Sequence, residues 1–332
     1  MSLLKNIGYM IRRLFGMNYK AMLQKITSIH QKTGRSRLWI MTDMLRCATN
    51  YGAGYMDYDL FEMYNLTPQQ RDTYITRGRN NALIKQYNDP AYGHILRNTG
   101  EFNARFQEFV HRDWTYLSQK ESALDFMGRH CVFMAKPMNG TCGKGIEKIY
   151  MQQEESAEAV WQRLSANGEY LLEEVIRQHP QISAIYPDAI NTVRTVTIRK
   201  DGVTHVICTY FRIGNHGNHV DNFNSGGMVA PVDEKTGIVA DRAIDKNKNL
   251  YATHPMTGTP IQGFQFPDWE IAMDMVRKAA TLIPQIGYLG WDIAFTENGP
   301  VLVEGNEFPG HDIYQLPEHT PDKIGIMPKF RV

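Results

Sequence analysis

Residues 290–310, GWDIAFTENGPVLVEGNEFPG, have the pattern of a β-hairpin. Aromatic and β-branched side chains at 291–295 and the apolar run at 301–303 predict two strands. Between them, the Asn298-Gly299 step tolerates positive φ and predicts the turn. Two antiparallel strands joined near residue 298 are therefore expected.

Three oxygen-bearing side chains lie along this hairpin: Asp292, Glu304 and Asn306. Folding about Asn298 would place Asp292 opposite Glu304, and Glu304 and Asn306 share a face because they are two residues apart. Two carboxylates and an amide oxygen suit Mg²⁺, which shares its coordination with waters and phosphate oxygens. The hairpin therefore predicts a magnesium site. The alternative, a surface hairpin with scattered polar residues, fits less well because the carboxylates end or interrupt apolar runs.

A glycine-rich segment lies between two strand-like runs earlier in the chain. The apolar run at 131–135 ends in Lys136, the sequence NGTCGKG follows at 139–145, and a second strand pattern covers 146–151. Glycines let backbone N–H groups approach phosphate, and threonine and lysine side chains add donors. The spacing is not that of a P-loop. The segment predicts a nucleotide-binding loop, with a flexible hairpin tip as the alternative.

Together these motifs resemble the ATP-grasp superfamily, and most closely its sugar-transfer-associated group, over residues 85–315. The resemblance implies an α+β, ATP-grasp fold in which two α/β lobes grip ATP, preceded by a mostly helical N-terminal region. We expect the helical region at 1–115, the small lobe at 116–185, and the large lobe with the metal site and a C-terminal tail at 186–332.

The resemblance also implies roles for single residues. ATP and Mg²⁺ are the implied cofactors, and Asp292, Glu304 and Asn306 are the implied metal ligands. Arg194 would point at the γ-phosphate, with Arg212 as a second catalytic arginine. The implied nucleotide-binding residues are Lys136, Gly140, Thr141, Gly143, Lys144, Gly145, Glu173, Glu174, Val175 and Ile176. The implied substrate-binding residues are Asn222, Asn224, Ser225, Gly226 and Gly227.

The sequence departs from the family pattern at one position. The family often has a lysine in the pattern L-x-D-K-x-x-F-N, whereas residues 96–103 read LRNTGEFN and place Thr99 at the lysine position. Either Arg97 replaces that lysine or nucleotide binding is weaker. Two further ambiguities concern the arginines: Arg194 could pair with Glu173 or Glu174, and Arg212 could form a surface salt bridge.

The implied chemistry is ATP-dependent activation of a carboxylate through an acyl phosphate, followed by attack of an amine. The predicted function is a carboxylate–amine ligase acting on a polysaccharide-, sugar- or amino-acid-derived metabolite. Two alternatives stay open: an ATP-grasp kinase that phosphorylates a sugar or another hydroxyl, and a nucleotide-binding module without turnover. The expected partners are small-molecule or sugar-linked carboxylates and amines.

Composition fits a soluble enzyme, and the predicted location is cytoplasmic. The net charge of +1 gives no sign of nucleic-acid binding, and the four cysteines lack zinc-site spacing. No apolar stretch approaches the ~20 residues of a membrane span. Residues 3–20 carry apolar side chains at helical spacing with basic residues on the other side. An ordinary packed helix is predicted there, and peripheral contact with an anionic membrane is the alternative.

Three smaller patterns give further predictions. Thr67 followed by Pro68 predicts a helix start. The aromatic residues of 102–110 recur at helical spacing and predict a helix facing the core. His216 and His219, in a Gly/Asn-rich segment, are predicted to be residues of a substrate loop rather than zinc ligands.

Overall fold

The structure, a computed structural model, describes residues 18–138, 145–154, 156–217 and 221–332. The chain forms two compact units. The smaller comprises Met1–Ala82, described from residue 18, together with Gln315–Pro328. The larger comprises Leu83–Tyr314 together with Lys329–Val332. The predicted lobe boundaries at residues 115 and 185 stay a prediction.

Residues 18–87 are mostly helical, and capping residues visible in the sequence define several helix ends. Ser36 caps the second helix, its Oγ accepting from the N–H of Trp39 at 3.2 Å. Thr67 caps the fourth in a reciprocal capping box with Gln70, and Pro68 takes the first helical position, so the predicted helix start is confirmed. The helices are α1 Tyr19–Thr33, α2 Arg37–Tyr51, α3 Tyr55–Leu60, α4 Pro68–Asp72 and α5 Arg77–Tyr87.

A buried ion pair lies in the core of the smaller unit. Asp43 accepts from both Nη1 and Nη2 of Arg71, at 2.8 and 2.7 Å, and from the hydroxyl of Tyr58 at 2.8 Å. These bonds satisfy a carboxylate that would be costly to bury alone. Residues 315–328 belong to the same unit. The side-chain amide of Gln315 accepts from the N–H of Ile75 and donates to its carbonyl oxygen.

Seven α-helices and eleven strands lie wholly within the described residues of the larger unit, which also holds the end of α5. The helices are α6 His94–Arg97, α7 Thr99–Arg105, α8 Gln107–Val110, α9 Lys120–Arg129, α10 Ala157–Asn167, α11 Pro180–Ile185 and α12 Trp269–Thr281. The strands are β1 Trp114–Tyr116, β2 Val132–Pro137, β3 Glu147–Tyr150, β4 Tyr170–Glu174, β5 Val193–Lys200, β6 Val203–Ile213, β7 Met228–Val232, β8 Ala243–Ile244, β9 Leu250–Tyr251, β10 Tyr288–Thr296 and β11 Gly299–Asn306.

The four-stranded sheet has the order β1-β4-β2-β3 and is antiparallel throughout. Phe133 and Ala135 alternate with less buried residues along β2, as expected for a strand with one face on a core. They pack with buried residues of α9 and α10, including Phe126 and Leu164. This packing fixes the end of β2, where Lys136 lies.

The seven-stranded sheet has the order β11-β10-β5-β6-β7-β8-β9 and is also antiparallel. Helix α12 packs against it through buried side chains that include Trp269, Met273 and Val276. Trp291 of β10 is fully buried against Phe106. The side chains of Phe102, Phe106, Phe109 and Val110 lie in this core, which confirms the prediction for 102–110.

The predicted C-terminal hairpin is confirmed. Strands β10 and β11 pair antiparallel, Thr296 faces Gly299 at the turn, and Asp292 faces Glu304. Gly299 has φ +106°, a backbone conformation that side chains rarely tolerate. The register shifts after Asp292, so Val303 has no partner residue of its own. This bulge changes the register of β11 just before Glu304, so that Glu304 rather than Val303 faces Asp292.

Candidate active site

Strand register brings a row of three charged residues together on the larger sheet. Arg194 of β5 is the cross-strand partner of Asp292 on β10, and Asp292 is the partner of Glu304 on β11. Cross-strand partners point to the same face of a sheet. A cation and two carboxylates, up to 110 residues apart in sequence, are therefore neighbours.

Two arginines converge on the carboxylate of Asp292. Arg194 donates to it from Nε and from Nη2, the latter at 2.9 Å from Oδ2, and Arg212 donates from Nη1 at 2.7 Å. The Asp292 side chain is 3% exposed. Burial alone would raise its pKa, but Arg194 and Arg212 outweigh burial and hold the pKa of Asp292 well below its usual range. Asp292 is therefore ionised and positions both guanidinium groups.

Arg212 is also held from its other side. Its Nη2 lies 2.9 Å from Oδ1 of Asp221, whose Oδ2 accepts from the N–H and the hydroxyl of Thr192, at 3.0 and 2.5 Å. Burial raises the pKa of Asp221, and the charge of Arg212 opposes that shift. The network fixes Arg212 between two carboxylates, so its orientation does not depend on a ligand.

Glu304 and Asn306 lie at the more open side of the row. Asn306 donates from Nδ2 to Oε1 of Glu304 at 3.1 Å, which leaves the amide oxygen of Asn306 for another partner. Burial and the facing Asp292 raise the pKa of Glu304 to about 7. The Glu304 side chain is 56% exposed, so the close negative charge of Asp292 is the main physical cause of the raised pKa.

The donor set fits a small hard cation. Two facing carboxylates repel each other unless a proton or a cation lies between them, and Mg²⁺ prefers carboxylate and amide oxygens. No three His, Cys, Asp or Glu side chains of the described chain are grouped to hold a metal. The predicted set is of another kind, because it consists of two carboxylates and an asparagine.

A second polar cluster surrounds the predicted nucleotide lysine. Glu173 of β4 is 1% exposed and accepts from Lys136 Nζ at 2.5 Å, from Asn103 Nδ2 at 2.6 Å and from Arg112 Nε at 3.3 Å. Burial opposes ionisation, but Lys136 and Arg112 lower the pKa of Glu173 to about 2. The lysine is thus held at the end of β2 by a permanent negative charge.

Arg112 joins this cluster to the hairpin. Besides Glu173, it donates from Nη1 to the carbonyl of Leu302 at 2.7 Å and from Nη2 to that of Val303 at 3.2 Å. Val303 is the bulged residue before Glu304. One buried side chain therefore connects the lysine of the small sheet to the carboxylate hairpin of the large sheet.

The remaining predicted nucleotide residues are only partly described. Gly140, Thr141, Gly143 and Lys144 lie outside the described residues. Gly145 has φ +77°, which favours glycine, and a Cβ there would lie 3.0 Å from Pro137. Glu174 ends β4 and accepts from the N–H of Asp113 at 3.2 Å, so it points away from Glu173, while Val175 and Ile176 follow the strand half-buried.

The predicted substrate segment begins next to Arg212. The carbonyl of Asn222 accepts from the N–H groups of Ser225 and Gly227, at 2.9 and 3.1 Å, closing a turn between Asp221 and β7. Gly226 has φ +97°. The backbone of Asn224 lies in the 3-10 turn Phe223–Ser225. The residue that holds Arg212 is thus followed at once by the predicted substrate residues.

The alternatives left open by the sequence have different outcomes. Arg194 pairs with Asp292 rather than with Glu173 or Glu174, and its Nη2 also lies 3.9 Å from Oε1 of Glu304. Arg212 is a buried rather than a surface ion-pair partner. His216 lies in a turn with φ +58°, and His219 is outside the described residues. Arg97, the possible replacement for the missing lysine, forms an ion pair with Glu307, next to Asn306.

Four residues of these clusters were not predicted: Asn103, Arg112, Thr192 and Asp221. Asp221 stands in the Asn/Asp-rich segment, and that composition was its only signal. Arg112 lies between a helix and a short strand, where no pattern indicates contact with residue 173 or 302. Long-range side-chain contacts of this kind depend on sheet topology, which local patterns do not specify.

A family model described as sugar-transfer associated ATP-grasp matches residues 78–321, well over half of the 332-residue chain. The chain is a member of the sugar-transfer associated ATP-grasp family. The predicted α+β, ATP-grasp fold with a helical N-terminal region is thereby confirmed. None of the curated proteins compared with this ATP-grasp chain matches its sequence.

Several solved structures resemble this ATP-grasp chain at low identity. They include an ADP complex of purK, an N5-carboxyaminoimidazole ribonucleotide synthetase (12% identity, TM-score 0.42, 65% of this chain and 46% of that one). The ATP-grasp ligase PsnB, with a phosphomimetic variant of its minimal precursor, Mg and ADP, has 15% identity, TM-score 0.43, and coverage of 74% and 62%. D-alanyl-alanine synthetase A from Vibrio cholerae O1 biovar eltor str. N16961 has 12% identity, TM-score 0.41, and coverage of 71% and 58%. The chain spans less than two thirds of each of these proteins.

Proposed function

We propose that this ATP-grasp chain is an ATP- and Mg²⁺-dependent ligase that joins a carboxylate to an amine through an acyl phosphate. The observation that carries the proposal is the convergence of Arg194 and Arg212 on Asp292, beside Glu304. Two fixed guanidinium groups next to accessible carboxylate and amide oxygens suit a phosphoryl group in transfer, whose charge lies on equatorial oxygens.

The proposed chemistry proceeds in two steps. A carboxylate oxygen of the substrate attacks the γ-phosphorus of ATP, the bond from that phosphorus to the β–γ bridging oxygen breaks, and ADP leaves. The amine nitrogen then attacks the carbonyl carbon of the acyl phosphate, phosphate leaves with the C–O bonding electrons, and the nitrogen loses a proton. Phosphate is a far better leaving group than oxide, which is why activation is needed.

Each part of the chain would have a separate task in these steps. Lys136, held by Glu173, would bind a phosphate of the nucleotide, and residues 140–145 would cover the phosphates and exclude water. Arg194 and Arg212 would offset the charge on the γ-phosphoryl group without reorganising, because carboxylates already orient them. Asp292, Glu304 and Asn306 would hold Mg²⁺, which would offset further negative charge on the phosphate groups.

The acceptor side of the site is proposed at the segment after Arg212. Asn222, Asn224, Ser225, Gly226 and Gly227 would face the substrate, in agreement with the position of their turn beside Asp221. We propose a metabolite derived from a polysaccharide, a sugar or an amino acid as the substrate.

Hydroxylamine trapping tests the proposed reaction. The full chain is incubated with ATP, Mg²⁺ and panels of amino acids, uronic acids and other sugar acids, with hydroxylamine in place of the amine. The expected result is a hydroxamate that forms only when a suitable carboxylate is present, with one ADP released for each hydroxamate formed. ADP release with a stable phosphorylated hydroxyl product and no hydroxamate would replace the ligase by a kinase. ATP binding without ADP release in any panel would identify a non-catalytic nucleotide-binding module.

A further inference from the structure

The charge of the chain is unevenly distributed. Residues 1–56 contain nine Lys and Arg residues and a single acidic residue, Asp43, a net charge of +8, whereas the whole chain carries +1. Asp43 does not offset this charge at the surface, because it is buried and bound to Arg71. Residues 1–56 are therefore strongly cationic, and the remainder of the sequence carries net negative charge.

An apolar stripe runs along the outer side of α2 in this cationic region. Leu38, Met41 and Leu45 are 66%, 37% and 51% exposed, and their spacing of three and four residues places them on one helix face. The core-facing side chains of α2, such as Ile40 and Cys47, are fully buried on the opposite face. Three exposed large side chains in one row differ from singly scattered ones, which need no explanation.

Cations flank the stripe. Arg37 and Arg46 are one residue away from Leu38 and Leu45, and at 100° per residue they lie on opposite sides of the row. Both are exposed, and neither forms an ion pair within the described part of the chain. Arg35 stacks on Trp39, 4.3 Å from the ring centroid.

Other cations of the same helices are neutralised. Lys25 and Lys32 of α1 pair with Asp59 and Glu62, so they add little to the surface potential. Within residues 18–56, which the structure describes, the cations without an acidic partner are therefore Arg37 and Arg46 beside the stripe, Arg35 next to α2, and Lys20 at the start of α1.

We propose that this face of α2 docks on an anionic membrane surface. Leucine and methionine side chains would enter the headgroup boundary, while Arg37 and Arg46 would meet anionic headgroups. No described helix is long and apolar enough to cross a membrane, so the contact would lie in the plane of the surface.

A second copy of the chain fits this surface less well. An isologous dimer would bring the same patch of each copy together, and its flanking arginines would then face one another. Like charges at close range destabilise such a contact. An anionic lipid surface instead offers the opposite charge to every cation of the patch.

Vesicle sedimentation tests the proposal with the full chain. Vesicles of phosphatidylcholine with about 30% phosphatidylserine are compared with pure phosphatidylcholine, in low salt and in about 0.5 M salt. Binding to the anionic vesicles that weakens in high salt is expected. The double variant Leu38→Ser/Leu45→Ser should lower the partition coefficient about tenfold or more, and Arg37→Gln/Arg46→Gln should do likewise.

Ile271→Ser is the matched control, because Ile271 of α12 is 59% exposed and lies outside the cationic region. It should bind vesicles like the wild type. All substituted residues are exposed, and thermal unfolding checks that each variant is folded. Equal binding to neutral and anionic vesicles, no binding to either, or unchanged binding of both double variants would each overturn the proposal. Self-association lost in Leu38→Ser/Leu45→Ser, without vesicle binding, would assign the face to a second copy.

Discussion

Arg212 donates from Nη1 to Oδ2 of Asp292, 2.7 Å away, although the two residues are 80 positions apart in sequence. Because Arg194 binds the same carboxylate from the neighbouring strand, Asp292 carries two guanidinium groups at once. The residue predicted as a metal ligand is thus also the residue that positions both predicted catalytic arginines. Substituting it would disturb charge, geometry and stability together, so the metal is better tested at Glu304.

Glu304→Gln is expected to abolish ADP release and to leave the fold intact. The substitution removes a charge proposed to bind Mg²⁺, while the 56% exposed side chain has little packing to lose. The measurement is ADP release over a range of Mg²⁺ concentrations, together with thermal unfolding, where a shift within about 2 °C is expected. Glu297→Gln, at the exposed turn of the same hairpin, is the control and should keep full activity. Near-normal ADP release from Glu304→Gln at ordinary Mg²⁺ would remove Glu304 from the site.

Glu173→Gln should destabilise the larger unit in a pH-dependent way. Removing the charge leaves Arg112 and Lys136 without their buried partner, and such losses cost about 3–5 kcal/mol at neutral pH. The pKa of Glu173 is lowered from 4.5 to about 2, so its contribution is present above about pH 4.5 and is lost as the pH falls towards 2.

Urea unfolding of both proteins at pH 7, 5, 4 and 3 checks this expectation. The difference in unfolding free energy between wild type and Glu173→Gln should shrink as the pH falls below about 4.5. Glu174→Gln, on the other face of β4, should show a smaller difference, since an amide oxygen can still accept from Asp113. A difference for Glu173→Gln that stays constant from pH 7 to pH 3 would mean that the carboxylate is not held ionised by its partners.

The hairpin could be predicted from the sequence because its determinants are local. The Asn298-Gly299 step marks the turn and the period of two predicts two facing strands. In the structure Thr296 faces Gly299, so an unbroken ladder would place Val303 opposite Asp292. The bulge at Val303 is what brings Glu304 opposite Asp292. The bulge at Val303 could not be predicted, because it depends on the neighbouring segments. Arg112 is one of these, and it binds the carbonyl groups of Leu302 and Val303.

The sequence gives little information about which side chains bind the predicted site residues. The strand pattern around Arg194 was visible in the sequence, but its pairing with β10 depends on a strand order that places residues 194 and 292 side by side. From the sequence alone, Glu173 and Glu174 are therefore equally plausible partners of Arg194. For the same reason the sequence indicated an Asn/Asp-rich segment without showing that Asp221 holds Arg212.

Gly227→Ala should disturb the turn that follows Asp221. A Cβ at this position would lie 2.6 Å from the carbonyl oxygen of Asp221 and 2.9 Å from that of Ile213, and both contacts are backbone atoms. Overpacking of this kind costs about 1–3 kcal/mol, and relief by moving Asp221 would also release Arg212. We expect a lower melting temperature and reduced ADP release.

Gly128→Ala is the matched control for Gly227→Ala. Gly128 lies in α9, where an added Cβ meets nothing within 4 Å, so the substitution should be neutral or stabilise by about 0.5–1 kcal/mol. Thermal unfolding of the two variants gives the comparison. Equal melting temperatures of the two variants would contradict the prediction, because they would show that the turn accommodates an added Cβ at position 227 without loss of stability.

Arg194→Lys and Arg212→Lys should both impair the chemical step more than ATP binding. Each lysine keeps the charge but loses the planar fork that binds Asp292 and, for Arg212, Asp221 as well. We expect kcat to fall about 10²-fold or more, on the scale of lost electrostatic stabilisers, with a modest rise in the Kd for ATP. The measurements are ADP release with a hydroxamate-forming carboxylate and ATP binding at equilibrium. Arg242→Lys, at an exposed position outside the network, should change neither quantity. Wild-type kcat in both variants would make Arg194 and Arg212 structural residues, and the phosphoryl transfer would then have to take place elsewhere in the chain.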